Sequence, residues 1–472
     1  MSQFQKELKF DRRILIVGFG CVGQGVLPLL LRHIELRPDQ ISILTADDDG
    51  RGIAREYGVS FTAMPLTPEN FRGLLELRLG PGDFLLNMSV DVASIALIDW
   101  CQRNGVLYLD TCIEPWAGGH VDGSVAVGQR SNYALREAAL GLRHSSPKGP
   151  TAVLTHGANP GLVSYFTKQA LLNLAADAGR AVREPARREE WAQLACDLGV
   201  KVIHVSERDT QVDRERKQTG EFVNTWSVDA FVGEGCQPAE LGWGSHERQL
   251  PPDGHRHDSG SRSAIYLNRP GASTWVRTWT PLAGPIQGLL ITHGESISMS
   301  DYLTLGEGDH PRYRPTVHYA YHPCDDAVLS INELAGRNWQ LQTKTRILKD
   351  GITTGIDELG VLLMGHTRGA YWYGSRLSVE EARALVPHNS ATSLQVTATV
   401  LAGVVWAIEN PREGIVEPDE IEFRRILGIA LPYVGNVVGV YSDWTPLQGR
   451  GRLFEEDIDA DDPWQFKNFL VT

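Results

Sequence analysis

The sequence predicts an α/β protein in which an N-terminal, doubly wound parallel sheet precedes a second α+β domain with a mixed, largely antiparallel sheet. Over the first 160 residues, short apolar runs alternate with helical patterns, as in parallel sheets covered by helices. Between residues 201 and 383, segments rich in Val, Thr, Tyr and Trp alternate with turns, which favours antiparallel strands. We therefore expect domains at 1–160 and 161–390, and a C-terminal segment, 391–472, whose helix packs back on the first domain.

The first domain opens with a strand, a glycine-rich turn and a helix. The apolar run Ile14–Val17 leads into the turn, and the apolar residues of Cys21–His33 recur at helical spacing. The pattern then repeats along the chain, so we expect further strands and helices in alternation. Strands are predicted at 41–44, 84–88, 106–109 and 151–154, and helices at 93–103, 162–175 and 393–409.

The glycine-rich turn has the spacing Gly18-x-Gly20-x-x-Gly23. In dinucleotide-binding turns the first glycine makes the tight turn, the second admits the pyrophosphate, and the third lets the helix pack on the strand. A glycine pattern alone also fits an ordinary loop, but this one follows a strand and opens a helix. It therefore predicts a Rossmann domain with a dinucleotide at the helix N-terminus.

An acid commonly bonds the ribose diol at the end of the second strand of such a domain. Asp47 occupies this place and favours NAD over NADP. Asp48 and Asp49 follow directly, so any one of the three is a candidate, and a polar turn is the simpler interpretation of the other two.

Ligands of open parallel sheets bind beyond the carboxyl ends of the strands. The segments 87–91 and 110–114 and residue Asn159 lie at such ends, which brings Asp91 and Glu114 to the predicted cleft. Asp91 has a second interpretation, because Asp is also a common helix cap.

Two segments of the second domain, 206–209 and 226–234, combine carboxylates with an indole. An indole face attracts an ammonium group by about 0.5–2 kcal/mol, so these residues suit a cationic ligand. His293 follows an apolar run and is a candidate general acid or base. For each residue the alternative is structural: a core indole, solvated glutamates and a hydrogen-bonded core histidine.

Composition excludes several classes of protein. Hydrophobic residues make up 42% and charged residues 22% of the 472 residues, typical of a globular enzyme with more than one core. We expect no apolar stretch to reach the ~20 residues of a spanning helix and recognise no leader, which predicts a cytoplasmic protein without membrane contact. The net charge of −13 would repel nucleic acid and suits a cationic substrate, although solubility alone also explains it. Six scattered cysteines without a C-x-x-C pair indicate neither disulfides nor a metal site.

Taken together, the glycine turn, the segments 87–91 and 110–114, the run 157–161 and the run 224–227 resemble the bacterial homospermidine synthases. The resemblance spans essentially the whole chain, and its first-domain part is shared with the wider saccharopine dehydrogenase superfamily. It implies tightly bound NAD, putrescine as substrate and a homodimer. It also implies a reaction in which a hydride leaves the amine-bearing carbon of putrescine, a second amine displaces ammonia from the imine, and the hydride returns. Spermidine is a further candidate donor.

The resemblance also implies roles for individual residues. Trp226 is the cation–π platform, while His293 and Glu114 handle protons; with Glu207 and Glu234 they form the implied catalytic set. The implied substrate-binding residues are Asp91, Asn159, Glu207, Trp226, Glu234 and His293. The implied cofactor-binding residues are Gly18, Phe19, Gly20, Cys21, Val22, Gly23, Thr45, Asp47, Asn87, Met88, Ser89, Thr111, Asn159 and Pro160.

Two other functions fit parts of the sequence. A saccharopine dehydrogenase-like oxidoreductase fits the first domain; it would release its cofactor at each turnover and line its site with Arg for substrate carboxylates. A scaffold that senses NAD without catalysis fits the glycine turn alone.

Overall fold

The computed structural model describes residues 6–145, 147–181, 183–308 and 310–471. Its first sheet has seven strands, and every pairing is parallel. The chain runs outward from the central strand Ile14–Val17 to one edge, then returns to fill the other side, so the strand order reverses beside this strand. The sheet is thus doubly wound, as predicted. In spatial order its strands are Ile415–Val416, Ala152–Val153, Leu107–Asp110, Phe84–Asn87, Ile14–Val17, Ile41–Thr45 and Ser60–Ala63.

Helices connect these strands, and each predicted element of this domain lies within two residues of an observed one. The helix after the glycine turn spans Cys21–His33, and most of its residues are buried. Its apolar residues Val26, Leu27 and Leu30 belong to the same hydrophobic core as the strands. The other helices of this domain are Arg51–Glu56, Phe71–Glu76, Ser94–Asn104 and Asn132–Gly141.

One long helix, Ala391–Glu409, lies between the two halves of the molecule. It packs on Cys21–His33 and contacts strands of both sheets. Its length and composition would suit a membrane span, contrary to the expectation from the sequence, but 89% of its most apolar window is buried inside the protein. The strand Ile415–Val416 follows it and completes the first sheet.

The second sheet has ten strands and is mixed. Its centre is Val202–Asp209, which pairs in parallel with Thr316–His322 and antiparallel with Ile356–Met364. The remaining pairings are antiparallel, which confirms the predicted sheet. Its other strands are Pro238–Gly242, Gly254–Arg256, Ala264–Pro270, Trp275–Thr280, Gly284–Leu289, Ala370–Ser378 and Asn436–Ser442.

Helices pack on this second sheet. Leu162–Asp177 is buried on nearly all sides and lies on the strands Ile356–Met364 and Ala370–Ser378. A short parallel pair, Glu221–Asn224 with Lys344–Ile347, stands apart from the large sheet. The remaining helices are Arg188–Leu198, Val228–Cys236, Gly294–Tyr302, Asp325–Gly336, Val379–Leu385, Phe423–Ala430 and Phe466–Phe469.

Candidate active site

A cavity of about 660 Å³ lies at the carboxyl ends of the parallel strands. The glycine turn forms one end, and side chains of the second domain form the other. Its position beside the strand Ile14–Val17 is the crevice where doubly wound sheets bind ligands.

The three glycines of the turn have different surroundings. Gly18 has φ +81°, and a Cβ there would lie 2.7 Å from the backbone of Met88 and Ser89. Gly20 lines the cavity, and a Cβ there would meet nothing within 4 Å. Gly23 does not line the cavity; a Cβ on it would lie 2.9 Å from the Gly18 carbonyl oxygen. Only Gly20 thus leaves open space toward a ligand, whereas Gly18 and Gly23 hold the turn.

The three aspartates after the second strand have different partners. Asp49 accepts hydrogen bonds from Lys349 Nζ (3.1 Å) and Gln24 Nε2 (3.2 Å), and Asp48 pairs with Arg51. Asp47 lines the cavity and accepts only from the backbone N–H of Asp49 among the described contacts. Its carboxylate therefore has free acceptor capacity toward the cavity.

Most other predicted cofactor residues line this cavity, but Asn87 does not. Asn87 is buried; its Oδ1 accepts from Ser89 Oγ (2.6 Å), and its Nδ2 donates to the Tyr108 hydroxyl (3.2 Å). Asn87 therefore orients Ser89 from behind. The predicted residues that line the cavity are Gly18, Phe19, Gly20, Cys21, Val22, Thr45, Asp47, Met88, Ser89, Thr111, Asn159 and Pro160.

His293 lies between two carboxylates at the far end of the cavity. It immediately precedes the helix Gly294–Tyr302, and its Nε2 is 3.0 Å from Glu234 Oε2 while its Nδ1 is 3.3 Å from Glu295 Oε1. Burial alone would lower its pKa, but the charges of Glu295 and Glu234 outweigh burial and hold the pKa of His293 well above its ordinary value. The imidazole is therefore a cation at neutral pH.

Glu207 lies on the strand Val202–Asp209 and lines the same end of the cavity. Its Oε2 accepts from Asn159 Nδ2 (2.8 Å) and from the Tyr319 hydroxyl. Burial raises the pKa of Glu207 to about 7, and the charge of Asp209 adds to this shift. A carboxylate with a pKa near neutral is suited to accept and return protons.

Trp226 lines the cavity with its indole held in place. Its Nε1–H donates to the Tyr321 hydroxyl (3.2 Å), and its ring packs on Phe231 at a centroid distance of 5.3 Å. Ser227 follows it and caps the helix Val228–Cys236 by accepting from the N–H of Ala230. That helix carries Glu234, so one short segment positions the indole in the cavity and the carboxylate beside His293.

Asp91 lines the cavity and does not cap a helix. The neighbouring helix, Ser94–Asn104, has Ala93 at its N-cap and no side-chain cap. Burial raises the pKa of Asp91, and the charges of Glu114 and Asp229 raise it further. Asp91 therefore faces other carboxylates, an arrangement that favours a cation between them.

Glu114 lies outside the large cavity. It lines an adjoining pocket of about 20 Å³, together with His293 and Glu234, and its Oε2 is 3.1 Å from His120 Nε2. This volume suits one water molecule. Glu114 therefore shares this small pocket, and not the large cavity, with Glu234 and His293.

The cavity lining is rich in acidic side chains. Among the described residues that line it, none is Lys or Arg, and His293 is the one cationic side chain. Six carboxylates face it, which favours a cationic substrate over an anionic one. These carboxylates are Asp47, Asp49, Asp91, Glu207, Asp229 and Glu234.

Sequence reasoning missed three side chains that shape the site. Tyr319 donates to Glu207 and lies 4.4 Å, between ring centroids, from His293. Glu295 is the second carboxylate on His293, and Asp357 lies behind Glu207. The alternation Tyr319-x-Tyr321 was a usable signal, because residues two apart share one face of a strand. Nothing near Asp357 in the sequence points to the site.

Comparisons with known proteins agree with this geometry. The family "Saccharopine dehydrogenase NADP binding domain" matches residues 14–153, and "Saccharopine dehydrogenase C-terminal domain" matches residues 157–438. The chain is 53% identical over 468 residues to a homospermidine synthase of Blastochloris viridis, covering 98% of each chain. It is 49% identical over 465 residues to that of Mesorhizobium japonicum, covering 97% of this chain and 96% of the relative.

A solved structure matches equally well. The homospermidine synthase of Legionella pneumophila, crystallised in complex with NAD, is 50% identical, covers 98% of each chain and superposes with a TM-score of 0.92. These matches confirm the resemblance and the fold class predicted from the sequence. The chain belongs to the homospermidine synthase family.

Proposed function

We propose that the chain is an NAD-dependent transferase that joins two putrescine molecules into homospermidine and releases ammonia. One observation carries this proposal: a single cavity connects the glycine turn to an end lined by carboxylates and an indole, without Lys or Arg among the described lining residues. A dinucleotide and a diamine suit the two ends of that cavity.

The residues present fit NAD. Gly20 leaves room for a pyrophosphate at the N-terminus of Cys21–His33, and Asp47 has free acceptor capacity for a ribose diol. The Legionella relative was crystallised with NAD, which supports the same cofactor here. Bound NAD would supply a hydride acceptor and later a hydride donor, so that the reaction has no net oxidation or reduction.

The second-domain residues would hold the diamine and manage its protons. A diamine carries two positive charges at neutral pH, and one amine must lose its proton to react. We assign Glu207 as the base, because its pKa of about 7 lets it take that proton. Glu234 and Asp91 would hold ammonium groups, and the face of Trp226 would stabilise the cation between them.

The structure narrows the role proposed for His293. The sequence suggests a general acid or base, and the carboxylates of Glu234 and Glu295, which keep its imidazole charged, favour the acid. We propose that His293 serves as a proton donor near Glu234 and offers a positive charge to the two acidic side chains that flank it. Glu114, in the adjoining pocket, remains a predicted partner for protons on that side.

The two other functions predict features that the cavity lacks or would not need. A saccharopine dehydrogenase-like enzyme needs cationic side chains for substrate carboxylates, and none lines the described cavity apart from His293. A scaffold has no need for Glu207 with a pKa near 7 beside an indole. Both features favour the transferase.

A product assay tests the proposal. We expect purified protein with putrescine and substoichiometric NAD to form many homospermidine molecules, and as many ammonia molecules, per NAD. Mass spectrometry measures the triamine, and absorbance at the NADH band measures cofactor reduction. One NADH accumulating per oxidised putrescine would instead favour the oxidoreductase.

Replacing Trp226 tests the cation–π contact. We expect Trp226→Phe to keep partial activity, since Phe keeps a weaker π face, and Trp226→Ala to lose most of it, up to about 30-fold for ~2 kcal/mol. Phe231→Leu, which removes a ring packed behind the indole, is the matched control for lost packing. Steady-state rates measure the effect, and equal rates for the Phe and Ala variants would remove the cation–π contact from the proposal.

Two further parts of the proposal follow from the family. We expect a homodimer, which light scattering measures, and a cytoplasmic location. All six cysteines are unpaired, which is consistent with a reducing compartment. Putrescine is the expected substrate, and spermidine a candidate donor of the aminobutyl group.

A further inference from the structure

Three buried carboxyl groups converge at the base: Glu207 itself, and Asp209 and Asp357 behind it. Glu207 and Asp209 are two residues apart on one strand, so they share a face, and Asp357 is directly opposite Asp209 on the neighbouring antiparallel strand. Asp209 and Asp357 are fully buried, and Glu207 is 2% exposed. Directly opposite residues have Cβ atoms about 4.5–5.5 Å apart, so three charges here would repel strongly.

Hydrogen-bond donors are distributed unequally over the three groups. Asp209 accepts three bonds, from Gln211 N (2.8 Å), Gln211 Nε2 (3.1 Å) and Thr225 Oγ1 (2.6 Å). Asp357 accepts one side-chain bond, from Thr392 Oγ1 to its Oδ2, and its Oδ1 receives none from any described N–H or O–H group. Donors stabilise the ionised form, so Asp209 is the carboxylate and Asp357 the acid.

Asp357 also lies diagonally across from Glu207 on the paired strands, since Asp209 is opposite Asp357 and Glu207 is opposite Leu359, and the charge of Glu207 acts on the Asp357 carboxyl group. Two carboxylates have no proton to share, so the two groups form a hydrogen bond only when one of them is protonated. We propose that Asp357 stays a neutral carboxylic acid at neutral pH and donates a hydrogen bond to Glu207, as the positioning residue for the base of the transfer reaction. This inference rests on the proposed function, in which Glu207 takes a proton from the diamine.

The charges around Asp357 agree with a neutral acid. Burial raises its pKa well above the ordinary value, and the charges of Glu207 and Asp209 raise it further. The charge of Asp357 raises the pKa of Tyr321, on the strand Thr316–His322. Thr392, on the helix Ala391–Glu409, donates a hydrogen bond to Asp357. His293 acts on Glu207 rather than on Asp357, and Arg208 acts on Asp209.

Matched substitutions distinguish a neutral Asp357 from a charged one. Asp357→Asn keeps a neutral donor toward Glu207, so we expect the rise of kcat/KM near pH 7 to stay in place. Asp209→Asn removes a negative charge beside Glu207, so that rise should move to lower pH by about one unit. Asp357→Leu removes the donor, so the rise should move to higher pH, and Asn should rescue what Leu loses.

Melting temperature and NAD binding show that each variant is folded. A shift to lower pH in Asp357→Asn equal to that in Asp209→Asn would overturn the proposal, because Asp357 would then be charged in the wild type. Loss of activity in folded Asp357→Asn would also overturn it, because the proton itself would then be needed. If kcat/KM rose at the wild-type pH in all three variants, the proposal would also be overturned, because Asp357 would then only contribute packing.

Infrared spectroscopy of the intact protein supplies a second measurement that needs no turnover. We expect a protonated-carboxyl band at pH 7.5 that is missing from Asp357→Asn, and no difference between the two spectra in that region would overturn the proposal. The two proposals also fail separately. Wild-type protein that makes no homospermidine refutes the transferase. If the wild type makes homospermidine but its infrared spectrum equals that of Asp357→Asn, only the proposed neutral state of Asp357 is refuted.

Discussion

Glu207→Gln should lower kcat by roughly 10²- to 10⁴-fold, the usual contribution of a general acid or base. The amide keeps the size of the side chain and an oxygen for Asn159 and Tyr319, but it cannot take a proton from the diamine. The wild-type kcat/KM should rise with pH around 7, because the base form of Glu207 increases as pH passes its pKa of about 7. Rates from pH 5.5 to 9 measure whether this rise disappears in the variant.

A second buried carboxyl provides the control for this experiment. Burial raises the pKa of Glu247 to about 7 as well, but this residue accepts from the Phe466 N–H (2.9 Å) and from Thr316, away from the cavity. Glu247→Gln should therefore leave the pH profile in place. A rise near pH 7 that survives in Glu207→Gln, or disappears in Glu247→Gln, would show that another group is the base.

His293→Gln should remove most turnover while NAD remains bound. The wild-type imidazolium balances Glu234 at 3.0 Å and Glu295 at 3.3 Å, and an uncharged side chain leaves these two carboxylates facing each other. Removing one partner of a buried ion pair costs about 3–5 kcal/mol unless a carboxylate takes up a proton. We expect kcat to fall by about 10²-fold or more. Product assays measure kcat, and retained NAD is measured in the purified protein.

The sign of the pH effect on stability follows from the raised pKa of His293. A raised pKa contributes stability that is fully present below about pH 6.5 and is lost as pH rises through the value in the folded protein. Denaturant unfolding of wild type and His293→Gln should therefore differ most at low pH. His322→Gln, whose Nδ1 faces the Gln287 carbonyl outside the cavity, is the control. Full turnover in His293→Gln would show that His293 is not the proton donor of the transfer reaction.

The first domain was predictable because its signals are local. The strand Ile14–Val17, the glycine turn and the helix Cys21–His33 are adjacent in sequence, and their order implies a cleft at the strand ends. The strand Ile415–Val416 was not predictable, since two residues carry no periodicity and their partner strand lies far away in the sequence.

The candidate site was predictable in its residue types but not in its protonation states. His293 is charged because Glu234 and Glu295 reach it from different elements, and no local pattern reports that convergence. Asp47 differs from Asp49 because Lys349, distant in sequence, pairs with the latter. Asp357 faces Asp209 through antiparallel register, which depends on how whole strands align.

Isotope retention tests most directly whether the hydride is borrowed and returned. Putrescine deuterated at both amine-bearing carbons is incubated with the protein and substoichiometric unlabelled NAD, and the deuterium content of homospermidine is measured by mass spectrometry. We expect the triamine to keep every deuterium, because the one that leaves on the cofactor returns to the carbon that carries the new carbon–nitrogen bond. Deuterium that accumulates in free reduced cofactor, with no labelled triamine, would contradict the account.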